Sequence, residues 1–109
     1  THLRKLERTL DVDITIGRSA KPLLFNPKSD FIKTLLKAYQ DETGDKKSKP
    51  LAIGGGTYAK ECPNTVAFGS AFNGRSGNIH SPNEHIYLAD FYAQMAIYAR
   101  AIHYLGRKL

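Results

Sequence analysis

The chain has 109 residues, 41% of them hydrophobic, with one cysteine and a formal net charge of +6. That is enough for one small domain, is not disorder-like, and leaves no partner for an internal disulfide. No apolar run approaches the roughly 18 residues needed to cross a bilayer and no signal peptide is visible, so no membrane role is expected and Cys62 fits a reducing, cytoplasmic setting. The basic residues are spread along the chain, and no aromatic is interleaved with Lys46, Lys47 and Lys49. A solvated basic surface is therefore expected rather than nucleic-acid binding.

Leu3, Leu6 and Leu10 share one helical face. From Asp11 to Gly17, Val12, Ile14 and Ile16 alternate with Asp13 and Thr15, the pattern of a half-buried strand. Residues 18–27 read as a connector, with Pro22 and Pro27 bracketing Leu23, Leu24 and Phe25. Ser29 or Asp30 can cap the next helix, whose apolar face is Ile32, Leu35, Leu36 and Tyr39 and whose end is Gly44.

Leu51 to Ile53 is a short apolar run that empties into Gly54, Gly55 and Gly56. A buried strand leading into glycines is the usual ligand edge of an α/β sheet. Thr57 to Lys60 suits a helical turn, and Val66 to Gly69 reads as a second short strand. A polar loop follows and closes on His80-Ser81-Pro82-Asn83-Glu84. The last helix is expected from about Ala89 to Leu105, with Phe91, Met95, Tyr98, Ile102 and Leu105 as its main apolar stripe. Its alanines permit burial on further faces, and Arg107 and Lys108 complement its dipole. The resulting fold class is α/β, in the order helix, strand, glycine loop, strand, histidine loop, helix.

The glycine loop 54–57, Val66-Ala67-Phe68-Gly69, Gly74-Arg75 and the H-x-x-N-E run at 80–84 together closely resemble the C-terminal portion of the PepV-type (Xaa-His) dipeptidases. These belong to the zinc aminoacylase, carboxypeptidase and dipeptidase superfamily. The resemblance covers roughly residues 22–106. It implies that residues 1–21 are the last helix and strand of an α+β lid domain, and residues 22–109 the C-terminal portion of the catalytic domain. It implies hydrolysis of dipeptides at two zinc ions, with His80 as a metal ligand. Gly54, Gly55, Gly56 and Thr57 would contact substrate, and Asn83 and Glu84 would support the ligand from behind.

Two departures bear on the shape of the histidine loop: Asn73 replaces a proline, and Ser76-Gly77-Asn78 lacks an acidic residue. There is no His-x-Asp motif and no Glu-Glu pair, so the general base and most metal ligands would lie upstream in the same enzyme. The chain begins at Thr1, which also hints at a longer parent. Alone it is expected to be inactive. The alternative is a non-enzymatic truncated module that binds a partner chain, or itself, through an exposed half-sheet edge. His2, His85 and His103 are expected to be structural or exposed, and Cys62 an ordinary thiol.

Overall fold

A computed structural model describes residues 2–17, 19–69, 71–72 and 74–107. Its elements are α1 (His2–Leu10), α2 (Asp30–Thr43), a single 3₁₀ turn (Tyr58–Glu61) and α3 (Leu88–Gly106). Among the described residues no helix is long and apolar enough to cross a membrane. The expected contributions of Asn73 and Lys108 lie outside the described residues.

Local chemistry sets the limits of α2. The Ser29 hydroxyl accepts a hydrogen bond from the Ile32 amide at 3.4 Å, and Asp30 places a carboxylate in the first turn, where the helix dipole favours it. Gly44 adopts φ 73 and donates its N–H to the Gln40 carbonyl at 3.0 Å. Only a residue without a Cβ takes that left-handed turn cheaply.

The core is the seam between α2 and α3. Leu35 and the fully buried Ala38 meet Ala101, and Val66, Phe68, Tyr104 and Leu105 pack around them. Small residues on both helices permit close approach. Polar groups fasten the rim: Arg100 Nη2 donates to Glu42 Oε2 at 2.8 Å, and the Tyr104 hydroxyl donates to Asp41 Oδ2 at 2.8 Å. Lys37 pairs with Asp41 and lies over the Tyr104 ring. By contrast α1 buries no residue and packs on neither of the other helices.

The α/β expectation is overturned: the described residues contain helices and no strand. The alternating segment after α1 turns back on that helix instead. Asp11 takes φ 51, the Val12 amide donates to the Glu7 carbonyl, and the Ile14 amide donates to Glu7 Oε1 at 3.1 Å. Leu51 and Ile53 are 89% and 66% exposed, so no burial favours a strand there. Residues 66–69 lie against the helices without pairing. Alternation marks a residue pattern, whereas a strand needs a neighbour to accept and donate its ladder bonds. The half-sheet edge expected to mediate association is accordingly not formed among the described residues.

The apolar stripe chosen on α3 also differs from expectation. The helix buries Asp90, Gln94, Ile97 and Ala101, and of the expected stripe Leu105 packs against the core while Phe91, Met95 and Ile102 remain exposed. Hydrophobicity alone favours the other stripe. The seam selects this one because Ala101 fits against Leu35 and Ala38.

Phe68 and Gly69 join the loop region to α3. The Tyr98 hydroxyl donates to the Phe68 carbonyl at 2.9 Å, and the two rings lie 5.8 Å apart. Gly69 has φ 93, and a Cβ there would lie 2.7 Å from the Tyr98 hydroxyl. Gly69→Ala therefore forces a left-handed alanine and displaces Tyr98 from its carbonyl. Together these are expected to cost about 2–3 kcal/mol, read as a lowered urea midpoint. A loss below about 0.5 kcal/mol would contradict the contact.

Two carboxylates make the α2 end acid-sensitive. The Lys37 ammonium, then the Tyr104 hydroxyl, hydrogen-bond Asp41 and lower its pKa to about 2. Asp45 is lowered further by the Ser48 hydroxyl, the amides of Lys47 and Ser48, and the Tyr39 hydroxyl. Both folded values lie below the unfolded ones. Their stabilisation is therefore complete above about pH 4 and lost as pH falls through the folded values. The Lys47 and Ser48 amide resonances are expected to hold at about pH 4 and to collapse only near or below pH 2. Collapse already at about pH 4 would refute the Asp45 knot.

Candidate functional site

The histidine loop is closed by its own backbone. The His85 amide donates to the Gly77 carbonyl at 2.9 Å, and a Cβ on Gly77 would sit 2.5 Å from the His85 carbonyl oxygen. Only glycine permits that approach. Inside this closure the Ser81 amide donates to the Asn78 carbonyl at 3.0 Å. Asn78, His80 and Asn83 all take left-handed backbone, with φ of 53, 60 and 63. Asparagine and histidine enter that region more readily than most residues, but the conformation still stores strain.

His80 is exposed, and no hydrogen bond or ring contact engages its imidazole among the described residues. Glu84 is exposed with no such partner either. Asn83 contributes through its backbone: its carbonyl accepts from His85 Nδ1 at 2.8 Å, which fixes that ring's proton on Nδ1. The His85 ring meets the Tyr87 ring edge-on at 5.2 Å, and the Arg75 guanidinium lies 5.4 Å over the same Tyr87 ring. Arg75 Nη1 reaches Asp90 Oδ1 on α3 at 2.8 Å.

Gly54, Gly55 and Gly56 are exposed, and none has a positive φ. A Cβ on Gly54 or Gly55 would enter open space, while one on Gly56 would lie 3.6 Å from Lys60 Nζ. Half-buried Thr57 accepts the Lys60 amide on its carbonyl at 3.1 Å and precedes the 3₁₀ turn. Lys60 therefore adds a positive charge beside the glycines. Sequence reasoning missed it because an isolated lysine carries no signal. No hydrogen bond, ion pair or ring contact joins the glycine loop to the histidine loop among the described residues.

No group of three or more His, Cys, Asp or Glu side chains that could hold a metal occurs among the described residues. Cys62 is free and exposed. An open depression of about 390 Å³ lies elsewhere, lined by Asp30, Lys33, Thr34, Lys37, Tyr104 and Arg107, and contains none of the candidate residues.

Comparison with known proteins identifies the scaffold that carries these loops. The model of Peptidase family M20/M25/M40 matches residues 8–104. The chain belongs to this family. Curated relatives of this M20 chain carry the name "Putative dipeptidase". One from Staphylococcus haemolyticus is 37% identical over 93 residues, covering 85% of this chain and 20% of the relative. One from Staphylococcus epidermidis is 36% identical over 96 residues, covering 88% and 20%. One from Bacillus subtilis is 38% identical over 90 residues, covering 83% and 19%. The M20 chain thus spans about a fifth of the length of these relatives. No solved structure matches it.

Proposed function

We propose that the chain acts as the C-terminal part of a zinc-dependent dipeptidase of the M20 family, with His80 as one metal ligand. The observation that carries this reading is the His80 imidazole, held exposed and unpartnered in a strained, closed loop. A neutral imidazole with free nitrogens suits zinc. One such donor fits as part of a metal site but cannot close one, so the other ligands and the general base come from the remainder of the same enzyme. Two zinc ions, when bound, supply Lewis-acid polarisation and an activated water for peptide hydrolysis.

In this reading Gly54, Gly55, Gly56 and Thr57 face the substrate. Exposed glycine backbone and the neighbouring Lys60 ammonium suit a dipeptide's carboxylate. Asn83 and Glu84 support the ligand loop. Residues 1–21 belong to a lid domain, consistent with an α1 that packs on neither other helix, and residues 22–109 belong to the catalytic domain. The enzyme works in the cytoplasm, where an exposed free thiol such as Cys62 persists.

The test is zinc content and dipeptide turnover in the full-length protein, in the isolated chain and in a His80→Ala variant. Full-length protein should hold two zinc ions and turn over, the isolated chain should do neither, and the variant should lose about one zinc. Sustained turnover by the isolated chain, or full zinc content in the variant, would refute the assignment. The second reading, a non-enzymatic module that binds a partner chain, draws on the uncovered Phe91, Met95 and Ile102 face of α3. It is favoured if the native polypeptide in source cells has a mass of only 12.1 kDa.

A further inference from the structure

We infer that Asp90, acting through Arg75, is a positioning residue for the His80 imidazole. This rests on the reading of His80 as a metal ligand. The loop that carries His80 is almost wholly exposed, so burial does not shape it. Its left-handed residues nevertheless need surroundings that over-determine them, because strained backbone otherwise relaxes.

A chain of side-chain contacts supplies that constraint. Asp90 is 8% exposed, in the first turn of α3, on the face that helix buries. It is a rigid anchor, and the dipole at the start of α3 already favours its charge. Arg75 Nη1 reaches it at 2.8 Å, so the incoming arm of the loop is tied to α3. The Arg75 guanidinium also covers the Tyr87 ring, and Tyr87 immediately precedes the helix.

On the outgoing arm, His85 packs edge-on against that same ring and binds the Gly77 carbonyl through its amide. Its Nδ1–H donates to the Asn83 carbonyl. Both arms are therefore clasped to each other and to α3, and only residues 78–84 project beyond the clasp. A metal ligand must be held within about 0.5 Å of its productive place, and groups that orient a ligand change metal affinity by about 10–100-fold; this clasp would orient His80 through its backbone. An exposed ion pair alone would contribute little, but here the Asp90 end is buried, the Arg75 end is half-exposed, and the tyrosine ring reinforces the pair.

The test uses the full-length protein with Arg75→Gln, Arg75→Lys, Asp90→Asn and His80→Ala. Two quantities are measured: amide hydrogen exchange of residues 76–86 in metal-free protein, and zinc affinity by competition with a chelator. Arg75→Gln and Asp90→Asn are expected to speed loop exchange about tenfold while α2 and α3 are unaffected, and to weaken zinc at the His80-dependent site about 10–100-fold. Arg75→Lys keeps the ion pair and should recover most of both.

Loop exchange and zinc affinity within about twofold of wild type in Arg75→Gln and Asp90→Asn would overturn the inference alone, provided His80→Ala lowers affinity. Equal acceleration of exchange in α2 and α3 would also overturn it, by showing a general loss of stability. Unchanged zinc affinity in His80→Ala would overturn the ligand reading and this inference with it.

Discussion

Replacing His80 with glycine in the full-length protein is expected to lower dipeptide turnover on the order of 10³-fold or more while leaving the fold as stable as before, or slightly more so. The two effects separate because, in the proposed reading, the imidazole serves the metal and only the backbone of His80 serves the fold. Its side chain is exposed and unpartnered, so removing it takes nothing from the core. Its backbone sits at φ 60, where glycine is freer than histidine by about 1–2 kcal/mol. If the imidazole is the proposed metal donor, its loss, in contrast, removes several kcal/mol of transition-state stabilisation. The measurement is kcat and zinc stoichiometry beside a urea midpoint. A stable His80→Gly protein with near wild-type turnover would show that the imidazole holds no metal. An unstable one would show that the ring packs in the intact enzyme, contrary to the geometry described above.

Leu35→Ala is expected to damage the helix seam directly, at about 2–3 kcal/mol. Leu35 fills the α2–α3 seam beside Ala38 and Ala101, which are too small to close over the space it would leave. The value falls toward the lower end of the usual range because the seam is thin: among the described residues the buried apolar side chains are few, and none of the large ones is fully enclosed. Met95→Ala makes the comparison informative. Met95 lies on the exposed stripe of α3, 54% accessible, and its truncation should cost this chain less than about 0.5 kcal/mol. Urea denaturation of both variants, with unchanged m, reads the difference directly. Equal losses would show that α3 buries the stripe its hydrophobicity favours and that the seam described here is misassigned.

The candidate residues could be named from the sequence because their signals are local. His80-Ser81-Pro82-Asn83-Glu84 and the three glycines are short motifs whose spacing survives any packing arrangement, and the family match over residues 8–104 includes them both. The contacts around His80 were not legible. Arg75, Tyr87 and Asp90 form no motif, and only a chain reversal through Gly77 and His85 brings them together.

Elements whose cause lies within a few residues were determined by the sequence alone. Ser29 and Gly44 bound α2 because a hydroxyl at one end and a missing Cβ at the other satisfy backbone groups within one turn. α3 spans Leu88–Gly106, close to the expected Ala89 to Leu105, although it ends on Arg107 in right-handed backbone and not on a left-handed glycine. Tertiary structure decided what depends on a partner. Val12, Ile14 and Ile16 alternate like a strand, but the Glu7 carboxylate and carbonyl take the nearest amides, and no neighbouring strand competes for them among the described residues. Likewise α3 carries two usable stripes, and the small surface of Ala101 against Leu35 and Ala38 selects the one containing Asp90. Capping is a contest between a backbone group and its own neighbours, which a sequence displays. Strand pairing and face selection are contests between distant surfaces, settled only when those surfaces meet.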